Sequence, residues 1–347
     1  MTDFNSNSTL SKDAHRVPLL PAVSNYLSIL NHHLLPAFIK SGSLPNAINA
    51  REGLANLTQL FVTEVVDVPL IIDDMITHDD LRDDALVNSD YEVPVRIFCP
   101  RSSIESSLPV MLYFHGGGGS AGSVSVYQQI LCRLAKYTNH IIVAPEYRLA
   151  PENPYPCAQN DARTVLFGLS KVLARRQIAT TAAMVIAGDS HGGAIVTNLL
   201  RDSIVIQSGR IQDISAQVLI YPSVDFTMSC PSIDTYATGY LLSKTRIQWY
   251  FDQYFQNHED FKAHSALFAS KDELKNQPPA LIINAAVDPL YDEGVRYADK
   301  LTSVGIKTKH ITYNHVIHAY LNMENLNPEV CMQTYHAIAT FLDDTQE

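Results

Sequence analysis

Residues 182–194 read AAMVIAGDSHGGA. An apolar run ends at Gly188-Asp189-Ser190-His191-Gly192, followed by Gly193, and a helix-forming stretch begins there. A G-x-S-x-G pentapeptide between a strand and a helix marks a tight bend that lifts the serine hydroxyl clear of the sheet. The glycines are needed because side chains there would strike the neighbouring strand and helix. The bend places the Ser190 hydroxyl at a helix N-terminus. A chance Gly/Ser loop would lack the flanking strand and helix.

The same texture extends on both sides. VPVRIFC (93–99), LPVMLYFH (108–115), HIIVAPEY (140–147), AQVLIY (216–221), PALIINAA (279–286) and KTKHITY (307–313) read as strands. Runs apolar on both faces suit central parallel strands covered by helices. Helical stretches are expected at about 158–176, 191–206, 290–304 and 328–342. Alternating strand and helix predicts an α/β fold: a mostly parallel central sheet with helices on both faces and right-handed crossovers. Residues 1–15 read as a loose tail. Two short helices fit Val17–Lys40, broken by Pro18, Pro21 and Pro36, and a further helix fits 46–61. There Ile48, Leu54, Leu57 and Phe61 recur at helical spacing. No strand is expected before about residue 91, so 1–90 reads as a helical segment and 91–347 as the sheet domain. Between Tyr221 and Pro278 no strand is expected either. The stretch 241–257 looks helical and carries Trp249, Tyr250, Tyr254 and Phe255. An insertion of this length, at about 223–265 and after a strand, reads as a lid over the ligand-binding edge of the sheet.

His115-Gly116-Gly117-Gly118-Gly119 follows the strand LPVMLYF. Glycines leave backbone N–H groups bare, and an oxyanion needs two or three such donors aimed in advance. Gly116 and Gly117 are the candidate donors, with the N–H of His191 as a third. A rival reading takes Gly117-x-Gly119-x-x-Gly122 as a dinucleotide fingerprint, with Glu146 as the ribose carboxylate of an NAD-dependent oxidoreductase. That reading leaves the glycine turn at Ser190 unexplained. No phosphate-binding G-x-x-x-x-G-K-[ST] occurs.

A serine nucleophile needs a base, and the base needs an orienting carboxylate. Asp288 lies just past the strand PALIINAA, whereas Asp292 and Glu293 fall in the first turn of the next helix, where acids favour the dipole. After KTKHITY come Asn314-His315-Val316-Ile317-His318-Ala319-Tyr320. The base is one of these two histidines: His318 is preferred and His315 is the alternative. No further ligand cluster supports a metal at the pair.

With these residues placed, the chain from about residue 90 resembles the hormone-sensitive lipase family of α/β-hydrolases, and within it the bacterial carboxylesterases. His115-Gly116-Gly117-Gly118 is similar to the family's HGGG segment. Tyr147-Arg148-Leu149-Ala150-Pro151-Glu152, continuing to Pro154, Pro156 and Asp161, is similar to its YRLAPE-x-P-x-P stretch, and Gly188–Gly193 to its GDSAGG elbow. Asp288-Pro289-Leu290 with Asp292-Glu293-Gly294 resembles its acid segment. The resemblance implies an α/β-hydrolase fold with a helical cap built from 1–90 and 223–265. It implies a triad of Ser190, Asp288 and His318, an oxyanion hole from Gly116, Gly117 and His191, and a mainly structural YRLAPE segment. There are two departures. His191 stands where the family has a small residue; its ring narrows the acyl pocket, joins the proton network, or packs harmlessly under the cap. Ala319-Tyr320 replaces the Gly-Phe that usually follows the base, keeping a small residue and an aromatic.

Composition bounds the function. The 347 residues carry 25 Lys and Arg against 36 Asp and Glu, a net charge of −11. So acidic a chain is a poor binder of phosphate backbones, and no nucleic-acid partner is expected. Five scattered cysteines without a CxxC argue against a disulfide framework. The polar N-terminus lacks a signal-peptide core, and no eighteen-residue apolar run occurs, so a cytoplasmic location without a membrane span is expected. The expected activity is hydrolysis of short- to medium-chain acyl esters, as small-molecule substrates, through an acyl-enzyme and without metal or organic cofactor. An amidase or deacetylase would use the same triad. A non-catalytic ligand-binding member of the fold would lack one of its residues.

Overall fold

A computed structural model of the chain describes residues 18–40, 42, 45–81, 91–101, 107–257 and 259–346. The expected loose tail at 1–15 lies outside them. Eight strands form one sheet: β1 Leu70–Ile76, β2 Val93–Cys99, β3 Leu108–Phe114, β4 Ile141–Pro145, β5 Thr180–Asp189, β6 Ile214–Ile220, β7 Ala280–Val287 and β8 Thr308–Ile317. Their order is β1-β2-β4-β3-β5-β6-β7-β8. β2 runs antiparallel to both its neighbours and the other pairings are parallel.

The period of two along each strand divides the core into two layers. Val110, Leu112 and Phe114 of β3 join one apolar cluster, together with the helices Cys157–Arg175, His191–Leu199 and Tyr291–Ser303. Met111 and Tyr113 join the other, under Val124–Thr138 and Pro328–Gln346. With helices on both faces, the central strands have no solvent side, which is why they read as continuous apolar runs. The helix Val124–Thr138 was not among the expected stretches; Ser123 caps it by accepting from the Val126 N–H at 3.1 Å.

The expectation of no strand before residue 91 is corrected by β1. Its sequence LIIDDMI does not alternate, because two adjacent aspartates interrupt it. Their charges are answered from elsewhere in the chain. Asp73 stands directly opposite Arg96 of β2 and bonds it at 2.6 Å, and Asp74 meets Arg175 at 2.9 Å. The helical part of the N-terminal segment therefore ends at Phe61, and the chain then returns to the edge of the sheet.

That helical part comprises Pro21–Ile29, a π-helical turn at Leu30–Leu34, Leu35–Lys40 and Ala47–Phe61. On the last helix Leu54, Leu57 and Phe61 pack inward, but Ile48 is exposed. Arg51 ties this helix down, donating to the Ser120 carbonyl at 2.9 Å and to Glu152 at 2.6 Å. The expected helix within the insertion is Lys244–Tyr254. No described helix is long and apolar enough to cross a membrane.

Candidate active site

The C-terminal ends of the parallel strands share one edge of the sheet. Each strand delivers its next residues there: His115 and the glycines from β3, Ser190 from β5, Asp288 from β7 and His318 from β8.

Ser190 adopts φ 52° and ψ −118°, a region that strains a residue with a Cβ. The strain is held by close packing beneath it, where a Cβ on Gly192 would run into the Phe114 carbonyl. The Ser190 hydroxyl lies 2.9 Å from Nε2 of His318, whose Nδ1 lies 2.7 Å from Oδ2 of Asp288. The Asp288 carboxylate is buried and also accepts from the Leu290 N–H at 2.9 Å. This arrangement fixes the tautomer: Nδ1–H donates to Asp288 and Nε2 is free to take the serine proton. Ala319 follows with φ 60°, a left-handed conformation that costs an alanine about 1–2 kcal/mol and a glycine almost nothing.

His315 faces elsewhere. Its Nδ1 is bonded to the Pro18 carbonyl, and its own carbonyl accepts from the Leu20 N–H at 3.1 Å. It fastens the N-terminal segment to β8. Of the two candidate histidines, only His318 meets Ser190.

The oxyanion candidates separate. The Gly116 N–H donates to Oδ1 of Asp189 at 2.8 Å, and Gly116 is absent from the lining of the cavity above Ser190. The expectation that Gly116 serves as a donor is therefore corrected. Gly117 and Gly118 do line the cavity, with φ of +123° and +64° turning the backbone over beside Ser190. No turn or loop hydrogen bond among the described residues is donated by the N–H of Gly117, Gly118 or His191.

Asp189 was not singled out by sequence reasoning, although it sits inside the GDS motif. Its carboxylate is buried and accepts from Tyr113 Oη and Tyr127 Oη, both at 2.9 Å, besides Gly116. Burial raises its pKa to about 6, with those three hydrogen bonds acting against the rise. It ties the glycine loop after β3 to the turn at Ser190. Burial likewise lowers His115 to about 4 and His191 to about 3, so both rings are neutral. The His191 ring is packed edge-on against Tyr254 at 4.4 Å, and neither nitrogen has a protein partner among the described residues. Packing under the insertion and narrowing of the cavity, which His191 helps to line, both match this geometry; no hydrogen bond among the described residues joins the ring to a proton network.

The dinucleotide reading of Gly117–Gly122 fails on sterics and charge. Tyr250 and Tyr254 lie directly on Gly118 and Gly119. The N-terminus of Val124–Thr138, where a pyrophosphate would bind, is already met by the Glu146 carboxylate, which accepts from the Val124 N–H at 2.9 Å. A second negative group has no place there.

Above Ser190 is a cavity of about 240 Å³. The N-terminal segment contributes Tyr26, Leu30, Leu35, Leu54 and Leu57 to it, and the insertion contributes Leu241, Leu242, Arg246, Ile247, Tyr250 and Phe251. A serine–histidine–aspartate line at the floor of an apolar cavity, with bare N–H groups beside the hydroxyl, is equipped for acyl transfer.

A model of the α/β-hydrolase fold family matches residues 111–322. Over 254 residues the chain is 32% identical to the carboxylic ester hydrolase LipN of Mycobacterium tuberculosis, spanning 72% of this chain and 66% of LipN. It is 30% identical over 245 residues to the ethyl acetate hydrolase of Pseudomonas putida, spanning 69% and 74% of the two chains. Among solved structures, a hyperthermophilic esterase of Pyrobaculum calidifontis superposes with a TM-score of 0.78 at 28% identity, covering 93% of this chain and 97% of that one.

Proposed function

The chain belongs to the hormone-sensitive-lipase-like carboxylesterase group of the α/β-hydrolases, and we propose that it hydrolyses short- to medium-chain acyl esters through an acyl-enzyme on Ser190. The observation that carries this reading is the hydrogen-bonded line Ser190–His318–Asp288 opening into the capped cavity.

Ser190 Oγ attacks the acyl carbon while Nε2 of His318 takes its proton. Asp288 holds Nδ1–H and stabilises the imidazolium that forms. The N–H groups of Gly117, Gly118 and His191 receive the oxyanion, and Asp189 holds the loop that presents two of them. His318 returns the proton to the departing alcohol. Water then attacks the acyl carbon while His318 takes its proton, and the acid leaves as His318 returns that proton to Ser190 Oγ. The small, mainly apolar cavity of about 240 Å³, walled by the two cap segments, favours a compact acyl chain over a long one.

The test is a kcat/KM profile over p-nitrophenyl esters of rising chain length, with Ser190→Ala alongside. Turnover should peak at short to medium chains and fall by about a thousandfold or more in the variant, which still folds. Near-normal turnover by Ser190→Ala would overturn the assignment.

A further inference from the structure

Among the described residues, Arg51, Arg96, Arg133, Arg148, Arg163 and Arg175 each meet a carboxylate. Arg246 makes no side-chain hydrogen bond or ion pair with any described residue, although the chain has eleven more acids than bases. It is an exposed residue lining the cavity above Ser190. The other ionisable side chains there are Asp189, committed to two phenols and the Gly116 N–H; His191, held neutral by burial; His318, bound to Asp288; and the phenols. Among the described residues, Arg246 is thus the one permanent positive charge lining the cavity, and its guanidinium has no partner among them.

Its surroundings have the chemistry of an anion site. Arg246 is one turn before Tyr250 on the helix Lys244–Tyr254, so the two share a face. Burial raises the phenol pKa of both Tyr26 and Tyr250, and the Arg246 charge opposes the rise in each, which places the guanidinium within electrostatic reach of both rings. Tyr26 and Tyr250 line the same cavity. A fork of N–H donors and two phenolic O–H groups matches a carboxylate. The Tyr250 ring rests on Gly118, beside the oxyanion donors. Four residues of helical rise, about 6 Å along the axis, separate the backbone of Arg246 from that of Tyr250.

We propose that Arg246, with the Tyr26 and Tyr250 hydroxyls, binds a carboxylate at the far end of the substrate, so that this esterase prefers monoesters carrying a free carboxylate several bonds from the ester carbonyl. The inference rests on the ester-hydrolase reading of Ser190 and specifies its substrate class. The carboxylate lies on either the acyl or the alcohol side, and paired substrates distinguish the two. One pair is the p-nitrophenyl monoester of adipate against p-nitrophenyl hexanoate; the other is the acetate ester of γ-hydroxybutyrate against butyl acetate.

In one of the pairs, the ratio of kcat/KM for the charged over the neutral ester should fall about tenfold in Arg246→Gln, the scale of one charge-assisted hydrogen bond. KM should carry the change, Arg246→Lys should restore part of it, and rising salt should erode the preference in the unsubstituted protein. Equal ratios in the protein and in Arg246→Gln for both pairs would overturn the proposal. If neither neutral ester is cleaved, the hydrolase reading fails separately, and calorimetry of monomethyl adipate with the Ser190→Ala protein decides the site. Binding weakened about tenfold by adding Arg246→Gln supports it, and unchanged or undetectable binding overturns it.

Discussion

Gly118→Ala tests whether the insertion presses on the oxyanion loop. Gly118 has φ +64°, and a Cβ there would stand 2.5 Å from Cδ1 and 2.8 Å from Cδ2 of Tyr250. Two costs add. Alanine in a left-handed conformation costs about 1–2 kcal/mol. Forcing the ring or the loop aside costs about 1–3 kcal/mol more, as overpacking does elsewhere. The sum of about 2–5 kcal/mol falls on the segment proposed to supply the oxyanion donors. At roughly 2 °C per kcal/mol for a domain of this size, the thermal midpoint drops by about 4–10 °C. A displaced donor costs as much as about 10²–10³ in kcat. The second arm adds Tyr250→Ala, which removes the colliding ring and leaves only the conformational penalty. The double variant should therefore be more stable than the two single effects added together, by about 1–3 kcal/mol, and should regain at least part of the lost kcat on a neutral ester. Thermal melts and initial rates on p-nitrophenyl acetate for all four proteins complete the cycle. Stability effects that add, with a kcat loss indifferent to Tyr250, would refute the idea that the ring bears on the loop.

Two further predictions follow from the site. His318→Ala should lose nearly all turnover while His315→Ala keeps most of it, since His315 bonds Pro18 rather than Ser190; the reverse pattern in the same ester assay would move the base. Asp189 has a folded pKa of about 6, raised by burial from 3.8, so the folded state holds its proton more tightly than the unfolded chain. Its contribution to stability is therefore full below about pH 4 and is lost as pH rises through about 6, a change on the order of 3 kcal/mol. Asp189→Asn should flatten that part of the stability profile, measured by denaturant unfolding at steps from pH 4 to 8, and an unchanged profile would show that the buried carboxyl does not titrate there.

Much of this molecule is written locally in its sequence. The strand VPVRIFC begins and ends in the structure where its apolar run does, and the other runs lie within a few residues of theirs. The central strands, covered on both faces, hold few polar positions to confuse the pattern. The elbow at Ser190 is equally legible, because a bend that tight admits few sequences. Other features depend on partners far along the chain. β1 was unreadable because Asp73 and Asp74 are matched by Arg96, Arg175 and Arg176, and residues 23 to 102 positions away leave no local periodicity. Asp189 had no role assigned from the sequence, because its partners Tyr113, Tyr127 and Gly116 come around it only in the fold.

The sequence by itself marked seven of the eight strands, Ser190 as the candidate nucleophile, Asp288 as the candidate acid and a choice of two histidines. Each is a short segment whose chemistry depends on its own strand end. Tertiary structure alone decided that His318 meets Ser190 while His315 secures the N-terminal segment, and that the Gly116 N–H is taken by Asp189 while Gly117 and Gly118 line the cavity. It alone left Arg246 without a partner among the described residues and set Tyr250 and Tyr254 against the glycine loop. The physical reason is that a donor or a charge is defined by what answers it, and the answering group comes from another part of the chain.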